Sequence, residues 1–211
     1  MIRTSYLVGG GLLVAASCWL FPPFHVVRLP KNNQGQPQLQ SRFDAASFAR
    51  SFWADELIPS ASNAVPVIEL LKAFETDAAA ARQKFCRSPG LSETTYAFVQ
   101  GSGRIAALEK DSIRVKLDGT TNNEVELSTG LLFGNAVRDA TGLLDVNRFP
   151  NSQDFNDLST ELNQLVENQV LPSLREHAAI GKTLRFTGCL ELDSGDLPKV
   201  LSVIPVTVNS R

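Results

Sequence analysis

Few side chains in this sequence could do chemistry, and most of them stand apart. The two histidines, His25 and His177, lie in distant parts of the chain, and so do Cys86 and Cys189. Neither pair gives the local ligand spacing of a zinc site, so no metal site is predicted. A "GSG" at Gly101–Gly103 lies inside strand-like sequence with no helix after it, unlike a dinucleotide-binding loop. No phosphate loop, no CxxC pair and no GxSxG nucleophile elbow occurs. No catalytic residue and no cofactor is assigned. The densest polar stretch is "GNAVRDATGLLDVNRFPNSQDF", Gly134 to Phe155, which holds Arg138, Asp139, Asn147, Asn151 and Gln153. Charged and amide groups on a long loop are where binding often resides, so these five are the candidate ligand-binding residues. The competing reading is structural. Arg138 and Asp139 could form a local ion pair worth ~0–1 kcal/mol if exposed. Asn147 and Asn151 could serve only turns and caps.

The remaining reactive group is Cys18. Arg3 supplies a positive start, Tyr6 to Ala16 is uncharged and largely apolar, and Ala15, Ala16 and Ser17 lead up to the cysteine. Charge, short apolar core and small-residue cleavage region make a secretory signal. With cysteine next in line it resembles a bacterial lipoprotein signal, which implies cleavage before Cys18 and lipid attachment to its thiol. A single N-terminal membrane span stays open as the main alternative, and simple secretion as another. Residues 4–24 carry no charge and could cross the ~30 Å of a bilayer, although Pro22 and Pro23 would break a helix there. Either way the folded part faces an oxidising compartment, where Cys86 and Cys189 could pair as a disulfide or pack separately as buried thiols.

These groups must be held by the elements that follow. Residues 1–17 read as the signal, 18–41 as a Gln-, Asn- and Pro-containing membrane-proximal spacer, 42–90 as a helical segment and 91–211 as a barrel, with 42–211 one unit. Asp44 can cap a helix running to about Leu57, with Phe48 and Phe52 on one face. A second helix begins near Pro66, buries Val67, Leu70, Leu71 and Phe74, and is interrupted at Thr76–Asp77. The period then changes. Residues 94–108 read as a long strand that Gly101 and Gly103 let bend. "SIRVKL" (112–117) alternates, with Ile113, Val115 and Leu117 inward, and Val125 and Leu127 continue the alternation. Leu131 to Val137 reads as a further strand. A helix capped by Ser152 or Asp154 carries Phe155, Leu158, Leu162, Leu165 and Val166 on one face, and Pro172 ends or kinks it. Strands at 182–188 and 200–208 close the chain, and Pro205 suits an edge or a bulge. A helix between the third and fourth of five short strands resembles an OB-type barrel. The predicted fold is therefore α+β: a helical segment on an OB-like antiparallel barrel of five or six strands.

The 211 residues contain 43% hydrophobic and 20% charged residues, enough for a sizeable core. The net charge of −2 offers no basic field for a nucleic-acid backbone, so no nucleic-acid partner is expected. "FDAASFARSFWADELIP", "GNAVRDATG", "FPNSQDFNDLSTELN", "GKTLRFTG" and "VIPVTV", in that order and with "FPPF" just after Cys18, are together similar to one bacterial family. It is the family of predicted periplasmic lipoproteins called domain of unknown function 2291. The resemblance implies a lipoprotein on the periplasmic side of a bacterial membrane, often encoded beside sugar ABC transporters, with no established activity. The leading expectation is a non-enzymatic binding or accessory protein. The alternative is an envelope hydrolase or transferase with its site near Arg138 and Asp139.

Overall fold

The computed structural model describes residues 43–89, 93–120, 123–149, 151–195 and 197–210. Cys18, the signal and the spacer lie outside the described residues. Asp44 caps the first helix, α1 (Ala45–Phe52), its Oδ1 accepting from the Ser47 amide at 2.9 Å. The chain then continues as a π turn (Trp53–Leu57) and a 3-10 turn (Pro59–Asn63), so the predicted single helix to Leu57 loosens after Phe52. A two-residue strand, β1 (Val65–Pro66), leads into α2 (Val67–Thr76), which buries Val67, Leu70 and Phe74. Asp77 breaks the helix and caps α3 (Ala78–Phe85), accepting from the Ala80 amide at 3.0 Å.

Five strands close the barrel: β2 (Thr95–Leu108), β3 (Ser112–Leu117), β4 (Glu124–Ser128), β5 (Thr183–Leu192) and β6 (Leu201–Ser210). They run around it in the order β2-β3-β4-β6-β5, with β5 returning to β2 and β1 added outside on β2. This is the predicted OB-like barrel with helices inserted between its third and fourth strands. Its pairing is mixed rather than wholly antiparallel, because β4–β6 and β1–β2 are parallel. Strand number explains the first of these. Each step β4-β3-β2-β5-β6 reverses direction, and in a ring of five the last pair cannot reverse again. A parallel pair needs a long crossover, which the helices and β5 supply. The alternation holds as expected, with Ile113, Val115, Leu117, Val125 and Leu127 all in the core.

β2 serves two neighbours, pairing with β5 over 95–104 and with β3 over 103–108. The transfer occurs where the backbones nearly touch. A Cβ on Gly103 would lie 2.2 Å from the Lys116 carbonyl oxygen. Gly103→Ala is therefore expected to destabilise the barrel by about 1–3 kcal/mol, read as a lower urea midpoint; an unchanged midpoint would mean that the two strands can part there without loss. Pro205 sits at the register shift of β5 against β6, where Thr187 faces Thr207 and Gly188 faces Pro205. That is the bulge its missing N–H favours.

Residues 131–137 are not a strand. After β4 the chain leaves the barrel, turns at Gly134 (φ +82) and forms a one-turn helix, α4 (Ala136–Asp139). Apolar Leu131 and Phe133 had suggested strand alternation, but both side chains are exposed, and the segment bonds to a helix instead of a sheet edge. That helix is α5 (Ser152–Leu165), capped by Asn151 and continued by a π turn (Val166–Val170) into α6 (Leu171–His177). Pro172 stands in the first turn of α6, so the long helix changes pitch before the proline and does not end there.

Candidate functional site

α5 has two stripes. Phe155, Leu158, Leu162 and, in the next turn, Val166 face the core. Beside them run Asn156, Ser159, Thr160, Asn163, Gln164 and Glu167, again at spacings of three and four. Ser159 and Asn163 in this second stripe are buried, and buried polar groups need partners. The segment after β4 supplies them turn by turn. The Leu132 amide donates to Glu167 Oε1 at 2.7 Å, and Asn163 Nδ2 donates to the Gly134 carbonyl at 3.1 Å. Ser159 Oγ donates to Asn135 Oδ1 at 2.9 Å. Arg138 Nη1 donates to the Phe155 carbonyl at 3.1 Å and to Asn156 Oδ1 at 3.4 Å. As the segment advances from 132 to 138 it descends the helix from 167 to 155.

Arg138 and Asp139 close this row. Arg138 Nε and Nη2 donate to the two carboxylate oxygens of Asp139 at 2.7 and 2.8 Å, a fork-to-fork pair. Both side chains are buried, at 6% and 3% exposure. The guanidinium lies 3.7 Å from the centroid of the Phe155 ring. Phe155 in turn packs at 4.9 Å on Phe149, which meets Phe43 and Phe48 at 5.4 Å each. The ion pair thus joins α4 to α5, and the rings beyond Phe155 carry the packing on to the start of the folded chain. Neither group faces an open site, as an anion clamp or a general base would have to.

Next to the pair stand Tyr96 of β2 and Glu191 of β5, cross-strand neighbours. Burial, then the Glu191 and Asp139 carboxylates, push the Tyr96 phenol up, while a hydrogen bond with Asn135 and the Arg138 charge oppose this. Burial, then Asp193 and Asp139, push the Glu191 carboxyl up.

The other predicted residues do not join this cluster. The amide and side chain of Asn147 both bond to Asp145 Oδ1, shaping an exposed turn. Asn151 caps α5, accepting from the Asp154 amide at 2.9 Å. Gln153 donates to Asp157 Oδ1 one turn along the same helix. Cys86 and Cys189 are free and buried. Arg87, next to Cys86, bridges Tyr96 along one side of β2, while Cys189 pairs with Phe98 along the other. Two interstrand spacings, ~9.6 Å, separate those positions, more than a disulfide spans. Burial raises the pKa of both thiols. Among the described residues no group of His, Cys, Asp or Glu is arranged to hold a metal, and no helix is long and apolar enough to cross a membrane.

An open cleft of about 470 Å³ remains between residues 131–135 and the polar stripe of α5. Leu131 and Phe133 line it on the loop side, 77% and 78% exposed. Asn156, Ser159, Asn163, Gln164 and Glu167 line it on the helix side. In the sequence this wall is masked by the stronger apolar stripe of α5. A signal was available. Asn, Ser and Thr are weak helix formers, and a merely solvated face usually carries Lys, Glu or Arg.

Residues 10–209 match the family model described as "Predicted periplasmic lipoprotein", domain of unknown function 2291. No curated protein matches the chain. Among solved structures it is similar to an OB-fold protein from Thermotoga maritima, with 27% identity and a TM-score of 0.70, over 80% of this chain and 99% of that one.

Proposed function

Because the chain belongs to the family of predicted periplasmic lipoproteins of unknown function that its residues 10–209 match, we propose that it is a lipid-anchored binding or accessory protein rather than an enzyme. Cys18 is the lipid-bearing residue in this reading, with residues 1–17 removed and 18–41 a spacer to the folded part. One observation carries the choice of binding over catalysis. The charged and amide groups of the 132–139 segment bond to α5 and to each other, which builds a rigid wall beside an open cleft. Rigid scaffolds with an open, polar-lined cleft suit recognition. A role beside a sugar ABC transporter is the partner reading, and it rests on the neighbourhood the family resemblance implies.

Deleting the gene and measuring uptake of the sugar carried by the neighbouring transporter tests that role. Uptake should fall, and in-cell crosslinking from the folded part should recover a transporter component. Normal uptake together with no crosslinked envelope protein would remove the accessory reading.

A further inference from the structure

The cleft on α5 has one feature that the hydrogen bonds around it do not explain. Asn163 is 5% exposed and lines the cleft, yet its Oδ1 has no hydrogen-bond partner. Its orientation is set from the other end, since Nδ2 must donate to the Gly134 carbonyl. An amide flip would orphan that carbonyl instead. A buried acceptor without a donor is destabilising, so this one is either a defect or a half-built contact.

The rest of the lining favours a contact. It contains no Lys, Arg or His, and its one ionisable group is the Glu167 carboxylate. Phosphates, sulfates and carboxylates would meet no cation there. Asn156, Gln164 and Thr160 offer donors and acceptors side by side on an exposed stripe. Hydroxyl groups, which both donate and accept, match such a wall. The facing lip is apolar, and an aromatic side chain such as Phe133 packs well against a ring's C–H face. The volume, about 470 Å³, lies in the usual ~300–1,000 Å³ range of small-molecule sites.

The geometry points to a binding site for a small, uncharged, polyhydroxylated molecule, one of whose hydroxyls donates to Asn163 Oδ1 while its C–H face lies on Phe133. Asn163 Oδ1 is shielded from solvent, so the donating hydroxyl reaches it only when the lining side chains shift. This inference deepens the reading of the protein as a binding module and rests on it.

The test is a titration of the purified full-length lipoprotein in detergent micelles. Glucose, xylose and ribitol serve as neutral probes, and gluconate and glucose 6-phosphate as anionic ones. At least one neutral probe should bind saturably, shift the side-chain amide resonances of Asn163 and Gln164, and outcompete its anionic counterpart. Phe133→Ala and Gln164→Ala, both at exposed positions, should each weaken binding about tenfold without changing the urea midpoint. No binding by any neutral probe, tighter binding of the anions, or affinity unchanged in both variants would overturn the site. The accessory role is scored separately. If gene deletion lowers uptake while neither variant does and no probe binds, the accessory role stands and the cleft assignment falls.

Discussion

Replacing Cys18 with alanine is expected to abolish the lipid modification of this protein outright. Hydrocarbon sets the size of the effect. Each acyl methylene buried in a bilayer contributes about 0.8 kcal/mol, so one chain of myristoyl length gives only reversible binding and two give a stable anchor. Losing the chains therefore changes membrane affinity by orders of magnitude. No surface substitution in the folded part could do that. The measurement is the intact mass of the membrane-extracted protein. The wild-type chain should lack residues 1–17 and carry added acyl mass, and should resist extraction by salt or carbonate. The Cys18→Ala chain should carry no acyl mass. A wild-type chain that begins at Met1 without acyl mass would overturn the lipid anchor and restore the N-terminal span that the uncharged residues 4–24 allow.

The barrel was legible because its strands obey the simplest rule in the sequence. Ile113, Val115, Leu117, Val125 and Leu127 alternate with polar neighbours, and all five are buried. The capping aspartate Asp44 was legible for a similar reason, since a cap is a local device that needs nothing beyond its own first turn, whereas Asp77 read only as an interruption and its capping of α3 went unread. The features that escaped depend on distant partners. No local pattern distinguishes a parallel β4–β6 pair from an antiparallel one, because direction follows from closing five strands into a ring. Leu131 and Phe133 carry strand-like spacing, but Gly134 and the hydrogen bonds to α5 and the turn after it draw the segment off the barrel. Arg138 and Asp139 looked the same in sequence whether they were a site or a staple. What separates the two readings is burial under Phe155, a residue 17 positions along the chain. The cleft went unread for the same reason: a polar stripe becomes a wall only once something lies against it.

The Arg138–Asp139 pair should be the costliest contact in the fold to break from one side. Removing one member of a buried, hydrogen-bonded ion pair leaves an uncompensated charge and costs about 3–5 kcal/mol. Arg138→Met would leave the buried Asp139 carboxylate without its cation and would remove the side-chain donor to the Phe155 carbonyl. Asp139→Asn would leave the guanidinium over Phe155 with only neutral partners. Each single variant should therefore lose about 3–5 kcal/mol in urea unfolding, while the double variant should lose much less than the sum. The pH dependence gives the sign independently. Glu191 already has a raised carboxyl pKa, and Asp139 is one of the causes. A carboxyl whose folded value is raised stabilises the fold below its unfolded value, and that contribution is lost as pH rises through the folded one. Asp139→Asn removes one of those causes, so the stability that the wild-type chain gains on acidification toward the ordinary carboxylate range should shrink in that variant. Losses under 1 kcal/mol in both single variants would show that the pair is no staple. The two groups would then be free to face a ligand, and a reaction at Arg138 and Asp139 would become the better reading of the loop.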